Sequence, residues 1–310
     1  MGKLRYYLIM NPASKSGRSK KSCQRVLSIL DKRKLDFNYK FTRGPEEAVT
    51  LAGEAAGKGW DVVVAVGGDG TICEVISGLL KNGPCGRLPK LGVLHTGTSP
   101  DFNRYHNIPV NLSEAVEVLI RGKSKLIDAG KITYMKNSWK KNIAYFGSNV
   151  NIGLGPLIAG KANSRHRKHL GDFLGTLCAL LSSLTAFKGV ELKIKIDGEK
   201  IASGKLINLT VGKDPYLASG MRVFSGIRPD DGKLYVLPVK KMPVLLFLIN
   251  IYRLYWGDFL KSKAASIIYG RKIEIEGNVE HTQVEFDGDV RGYLPVKIEV
   301  IPKALEVISQ

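Results

Sequence analysis

Apolar residues follow two rhythms along the first 125 or so positions. Short apolar or alternating runs at Arg5–Asn11, Asp36–Thr42, Asp61–Val66 and Lys90–Thr96 read as strands. Between them the spacing turns helical. Ser19–Lys34 carries Val26, Leu27 and Leu30 on one face, and Pro45–Lys58 opens on Pro45, Glu46 and Glu47 and closes near Gly57 and Gly59. Residues 72–80 and 113–120 are also compatible with helix. Strands alternating with helices in this way predict a parallel sheet covered on both faces. Ligands of such sheets sit at the carboxyl ends of the strands, where Asn11, Thr42, Gly67 and Thr96 fall.

From about Lys125 the rhythm changes. Segments 124–134, 142–153, 190–198, 204–213, 233–239, 271–277, 282–289 and 295–301 alternate like strands and break at Gly, Asp or Asn. Two apolar helical stretches, Leu170–Phe187 and Pro243–Trp256, interrupt them. The expected organisation is an α/β domain over residues 1–125, with the tail at about 300–310 packing back on it, and a β-rich domain over 126–300. Neither apolar stretch supplies the roughly 20 uncharged residues that a span requires. Asp172 interrupts the first; Asn250 and Arg253 interrupt the second.

Composition narrows the partners. The 310 residues include 44% hydrophobic and 24% charged side chains, the balance of a folded chain. Lys and Arg number 47 against 28 Asp and Glu, and a net charge of +19 favours polyanions: phosphorylated small molecules, anionic membrane or nucleic acid. No zinc-finger spacing or base-reading motif accompanies the charge, which argues against nucleic acid. Cys23, Cys73, Cys85 and Cys178 are scattered without a paired spacing, which suits a reducing compartment. The opening residues already read as a strand and not as a leader, so a cytoplasmic location is expected. Homo-oligomerisation is left open.

The candidate chemistry centres on Gly67-Gly68-Asp69-Gly70-Thr71, directly after an apolar strand and directly before a helix. Glycines let a backbone approach a ligand closely, and a helix N-terminus welcomes phosphate. A carboxylate among them suits phosphate chemistry if a cation such as Mg²⁺ lies between. Later in the chain, Asp287-Gly288-Asp289 and the Gly226–Lys233 loop present carboxylates beside glycine; each is also a ready turn.

Taken in order, Asn11-Pro12 with Ser14 and Gly17, Gly67–Thr71 followed by Glu74, Gly97-Thr98-Ser99-Pro100-Asp101-Phe102, Asp231-Gly232 and Asp287–Asp289 resemble the diacylglycerol kinase catalytic-domain family. The resemblance implies a nucleotide-binding α/β domain followed by an antiparallel β-sandwich, with the active site in the cleft between them. It implies ATP bound by Asn11, Thr42, Gly67, Gly68, Asp69, Gly70, Thr71, Glu74 and Thr98, with Asp69 facing Mg²⁺. It implies Asp289, or Asp287 beside it, as the base for a lipid hydroxyl, and a structural Mg²⁺ held by Asp231 and the carbonyls of Arg228 and Lys233. The family pattern has Gly-Asn where this chain has Ser99-Pro100, which bears on the choice of acceptor. An NAD-kinase-like enzyme shares the Gly67–Thr71 motif, and a non-catalytic nucleotide- or lipid-binding module is the other alternative. A lipid kinase must reach a membrane surface peripherally, and the basic run Lys161–His169 is the expected contact with anionic lipid.

Overall fold

The computed structural model describes residues 4–15, 17–82, 88–157, 187–217, 220–223, 226–255, 266–277, 282–286 and 288–310. The basic run Lys161–His169, most of the stretch Leu170–Phe187, and Asp287 lie outside these. The chain forms two compact units. The first comprises residues 1–129, 145–147 and 301–310, and the second residues 130–144 and 148–300.

In the first unit, β1 (Arg5–Met10), β2 (Asp36–Phe41), β3 (Val62–Gly67) and β4 (Lys90–His95) alternate with α1 (Ser19–Lys32), α2 (Glu47–Gly57), α3 (Asp69–Asn82), α4 (Asp101–His106) and α5 (Leu112–Arg121). The strands pair in parallel in the order β2-β1-β3-β4, and Val307 adds a parallel partner to Leu91 at the β4 edge. The period of two sends alternate side chains to opposite faces. Tyr7, Ile9, Val63, Ala65, Leu91 and Val93 share one core with α2 and α3. Tyr6, Leu8, Met10, Val62, Val64 and Val66 share the other with α1 and α5. Every residue from Val62 to Val66 is 0% exposed, so each valine contributes about 1.5–3 kcal/mol of burial.

Two elements differ from the pattern read in the sequence. Helix α3 begins at Asp69 and not at Ile72, so almost no loop separates it from β3. Helix α4 was not anticipated, because Pro100 stands before it and it is only six residues long. Its start is held by Arg104 N–H donating to Pro100 O at 3.0 Å, with Pro100 outside the helix, where its missing donor costs nothing.

The chain passes into the second unit within β5 (Ser124–Met135), followed by β6 (Lys141–Phe146). The second unit is an antiparallel β-sandwich. Its further strands are β7 (Asn149–Gly153), β8 (Val190–Ile196), β9 (Glu199–Gly212), β10 (Tyr216–Leu217), β11 (Met221–Arg222), β12 (Leu234–Lys240), β13 (Ile268–Gly270), β14 (Lys272–Gly277), β15 (Gln283–Phe286) and β16 (Asp289–Ile308), with α6 (Val244–Tyr255) after β12. Two long strands serve both layers. Strand β9 pairs with β8 along its first half and with β7 and β12 along its second. Strand β16 pairs with β15 at its start and with β14 further on. In β8 the alternation is strict: Val190, Leu192, Ile194 and Ile196 are buried while Glu191 and Lys193 are exposed.

Candidate active site

The order β2-β1-β3 makes the gap between the carboxyl ends of β1 and β3 the point where the winding reverses, the usual ligand position of an open α/β sheet. Asn11 follows β1, and its N–H donates to Val66 O at 2.8 Å, continuing the sheet by one residue. Its side-chain amide donates to Thr71 Oγ1 at 3.0 Å and its carbonyl oxygen accepts from Ala13 N at 3.0 Å. Thus Asn11 ties the turn after β1 to the first turn of α3. Thr42, after β2, donates its N–H to Met10 O at 2.9 Å and stays partly exposed at the same end of the sheet.

The glycines are required for close approach and not for an unusual backbone angle. None of Gly67, Gly68 and Gly97 has positive φ. A Cβ on Gly67 would stand 2.3 Å from Thr71 Oγ1, and one on Gly97 would stand 2.5 Å from Gly68 Cα. The turns after β3 and β4 therefore touch backbone to backbone, with Thr98 next in the chain and partly exposed. Behind them, Ser19 Oγ donates to Thr96 O at 2.8 Å, Ser14 Oγ donates to Ser19 Oγ at 2.6 Å, and Thr96 N donates to Gly67 O at 2.8 Å. These bonds lock the N-terminus of the 14-residue α1 to the β4 end. Two helix N-termini, of α1 and α3, thus belong to one rim, which suits an anion.

Asp69 opens α3, and its Oδ1 lies 3.9 Å from Nε2 of His95. His95 carries no charge at neutral pH. Burial pushes its pKa down to about 4, opposed by the Ser99 carbonyl and reinforced by the positive charges of Arg104 and Lys15. Nε2 lies 3.0 Å from Ser99 O, an atom that can only accept, so the neutral ring carries its proton there. Pro100 does not open the turn: Ser99 Oγ donates to Asp101 Oδ2 at 3.0 Å and Arg104 donates to Asp101 Oδ1 at 2.6 Å. Glu74 points elsewhere than its expected nucleotide role. Its Oε1 accepts the N–H of Glu46 at 3.1 Å, steadying a left-handed residue (φ 63°) just before α2.

In the second unit, Asp289 begins β16, and Arg291 donates to its Oδ2 at 3.1 Å while lying 5.3 Å from the Phe286 ring centroid. The turn before it is held by Glu285, a buried side chain that accepts from Gly288 N at 2.7 Å and from Asn151 at 2.8 Å. Asn151 in turn accepts from Thr210 Oγ1 at 2.7 Å. The alternation Val284-Glu285-Phe286 assigns this glutamate to a solvent-facing position, so nothing in the sequence marks the network.

The set proposed for a structural Mg²⁺ does not fit a divalent ion. Lys213 was not anticipated at all. Its side chain is 2% exposed, and its ammonium donates to Asp231 Oδ1 at 2.5 Å and to Lys233 O at 3.0 Å. Arg228 presents its N–H to Asp231 Oδ2 at 3.0 Å, and Lys233 N donates to Oδ1 at 3.1 Å. Burial raises the Asp231 pKa, but these donors and the ammonium outweigh it and hold the carboxyl below its ordinary value. Both Asp231 oxygens and the Lys233 carbonyl, three of the four oxygens that the cation needed, already accept protein hydrogen bonds.

Residues 5–132 match the family model "Diacylglycerol kinase catalytic domain", and residues 148–309 match "YegS C-terminal NAD kinase beta sandwich-like domain". A protein of Bacillus subtilis named diacylglycerol kinase is 28% identical over 97% of this chain and 95% of its own length. One of Staphylococcus carnosus with the same name is 25% identical over 97% and 94%. In fold, the chain is similar to a diacylglycerol kinase crystal structure from Bacillus anthracis, with TM-score 0.75 and 23% identity over 100% of this chain and 98% of that one. It is also similar to yeast NADH kinase complexed with NADH, with TM-score 0.56 and 14% identity over 100% and 84%. With both halves matched in order, this chain belongs to the diacylglycerol kinase catalytic-domain family, a family of kinases.

Proposed function

We propose that this protein is an ATP-dependent lipid kinase that transfers the γ-phosphoryl group to a hydroxyl of diacylglycerol or a related lipid. The observation that carries the reading is the backbone contact of Gly68 with Gly97 where the turns after β3 and β4 meet, beside Asp69 at the start of α3. Side chains are excluded there, so backbone donors, Asn11, Thr42, Thr71 and Thr98 are left to bind and orient phosphates. Asp69 is the residue to hold Mg²⁺, which when bound neutralises charge on the phosphate oxygens. Asp289 is assigned the proton of the acceptor hydroxyl, with Arg291 and Glu285 fixing its turn. Asp287, the alternative base, lies outside the described residues.

Two observations favour a lipid over a soluble acceptor. The Bacillus and Staphylococcus relatives named diacylglycerol kinase align along nearly the whole chain. On α6, Leu245, Leu246, Ile249 and Tyr252 are exposed at 42–72%, with Lys240, Lys241 and Arg253 exposed nearby. Apolar residues at this helical spacing beside basic ones suit a peripheral anionic membrane surface. Among the described residues no helix is long and apolar enough to cross a membrane. The likeness to yeast NADH kinase favours the second reading, a kinase of a soluble dinucleotide.

Radiolabelled ATP offered with vesicles containing diacylglycerol, with NAD, or with no acceptor separates these readings. Label entering vesicle lipid is the expected result. Transfer to NAD alone overturns the lipid reading, and binding of ATP without transfer to any acceptor leaves only a non-catalytic module.

A further inference from the structure

We propose that the Lys213 ammonium serves as a built-in cation for the Gly226–Lys233 loop, which therefore closes without a structural divalent ion. The geometry is fixed from the backbone outward. Gly212, the last residue of β9, is paired with Asn149 on one side and Tyr235 on the other. Lys213 N then donates to Ser148 O at 2.8 Å, so backbone pairing continues through the lysine. A Cβ on Gly212 would meet Asn149 Oδ1 at 2.0 Å, which shows how tightly the neighbouring strands close around this point.

The surroundings hold the same position from the other side. Tyr235 Oη donates to Asn149 Oδ1 at 2.7 Å and lies 3.0 Å from Asp214 O, and Asp214 Oδ1 accepts Tyr216 N at 2.8 Å. The lysine thus stands next to a hydrogen-bonded residue in the chain, and its own side chain is 2% exposed. A buried ammonium must be hydrogen-bonded and paired to be tolerated. Asp231 Oδ1 and Lys233 O meet both needs.

A divalent ion would compete for those same oxygens. Mg²⁺ demands near-octahedral oxygen ligands at about 2.0–2.1 Å. It would share them with a fixed positive charge, whose repulsion is strong in a buried setting. Asp231 already accepts three donors, from Lys213, Lys233 and Arg228. The loop is therefore complete with protein atoms alone. This conclusion does not depend on the kinase reading, because neither nucleotide nor lipid enters it.

Hydrogen exchange measured by mass spectrometry tests it on the unmodified protein, without nucleotide or lipid. The peptide spanning residues 226–233 should exchange at the same rate in EDTA and in excess Mg²⁺. Exchange slowed fivefold or more by Mg²⁺ in that peptide overturns the proposal, whatever Mg²⁺ does near Asp69. In EDTA, Lys213→Met should speed exchange of the same peptide at least tenfold; wild-type rates in that variant also overturn it. If Lys213→Met does not fold, the wild-type comparison decides alone.

Discussion

The two carboxylates Asp69 and Asp231 are set up in opposite ways. Asp69 opens a helix after a parallel strand, and the imidazole nearest to it is neutral and turned toward a carbonyl. Asp231 sits in a turn of the sandwich against a buried ammonium and two backbone N–H groups. Around Asp231 the protein supplies the positive charge itself. His95 supplies none to Asp69, and the backbone around it is thinned to glycine where the turns after β3 and β4 meet. A motif of aspartate beside glycine thus says little about whether a cation is expected. What decides is the charge of the residue that the fold delivers to it.

The largest expected effect separates the two directly. Asp69→Ala should lower phosphoryl transfer by about a thousandfold while changing stability by less than about 1 kcal/mol, read by radiolabel transfer and thermal unfolding. Asp231→Asn should do the reverse in kind. Weakening the partner of a buried ammonium should cost about 3 kcal/mol of stability, measured by denaturant unfolding. Equal stability losses at both positions would break the comparison.

His95 sharpens it through pH. Its folded pKa of about 4 lies below the ordinary histidine value of 6.5, so the unfolded chain binds the extra proton first. Its contribution is fully present above about pH 6.5 and is lost as pH falls toward 4, amounting to roughly 3 kcal/mol. His95→Asn should flatten that limb of the stability profile; an unchanged limb would assign the acid sensitivity to carboxylates. Next, Gly97→Ala should weaken nucleotide binding by about a hundredfold, because the added methyl group drives the two turns apart. Titration with ATP reads it. The smallest effect is expected for Glu74→Ala, about 1 kcal/mol of stability through the lost bond to Glu46 N, with nucleotide affinity nearly unchanged.

How much of this was visible in the chain depended on sequence distance. Runs such as Val62–Val66 announce a strand buried on both faces, and the turn residues after them follow at once. The sheet then brings Asn11 to Thr71 because parallel strands place all their carboxyl ends together. Lys213 and Asp231 are 18 residues apart with β10, β11 and a turn between them, and no periodicity links them. A lysine after a strand reads as a solvated terminus until the neighbouring strands bury it. Helix α4 was hidden for a different reason: six residues behind a proline offer too few turns for a helical period to register. Glu285 was hidden by its polarity, since a charged residue at a strand position reads as solvent-facing.

The edge of the first sheet bears on the order in which the protein can fold during synthesis. Leu305, Val307 and Ile308 belong to the cores of the first unit, and Val307 pairs with Leu91. A ribosome delivers Leu91 more than two hundred residues before Val307. Domains made first ordinarily fold first, at roughly 5–20 residues per second of elongation. Here the nascent first unit must wait, with the β4 edge and its apolar neighbours uncovered, until the sandwich sequence has also emerged. Both units are therefore completed at nearly the same moment, and a ribosome stalled before residue 305 holds an N-terminal unit whose sheet still lacks its last strand.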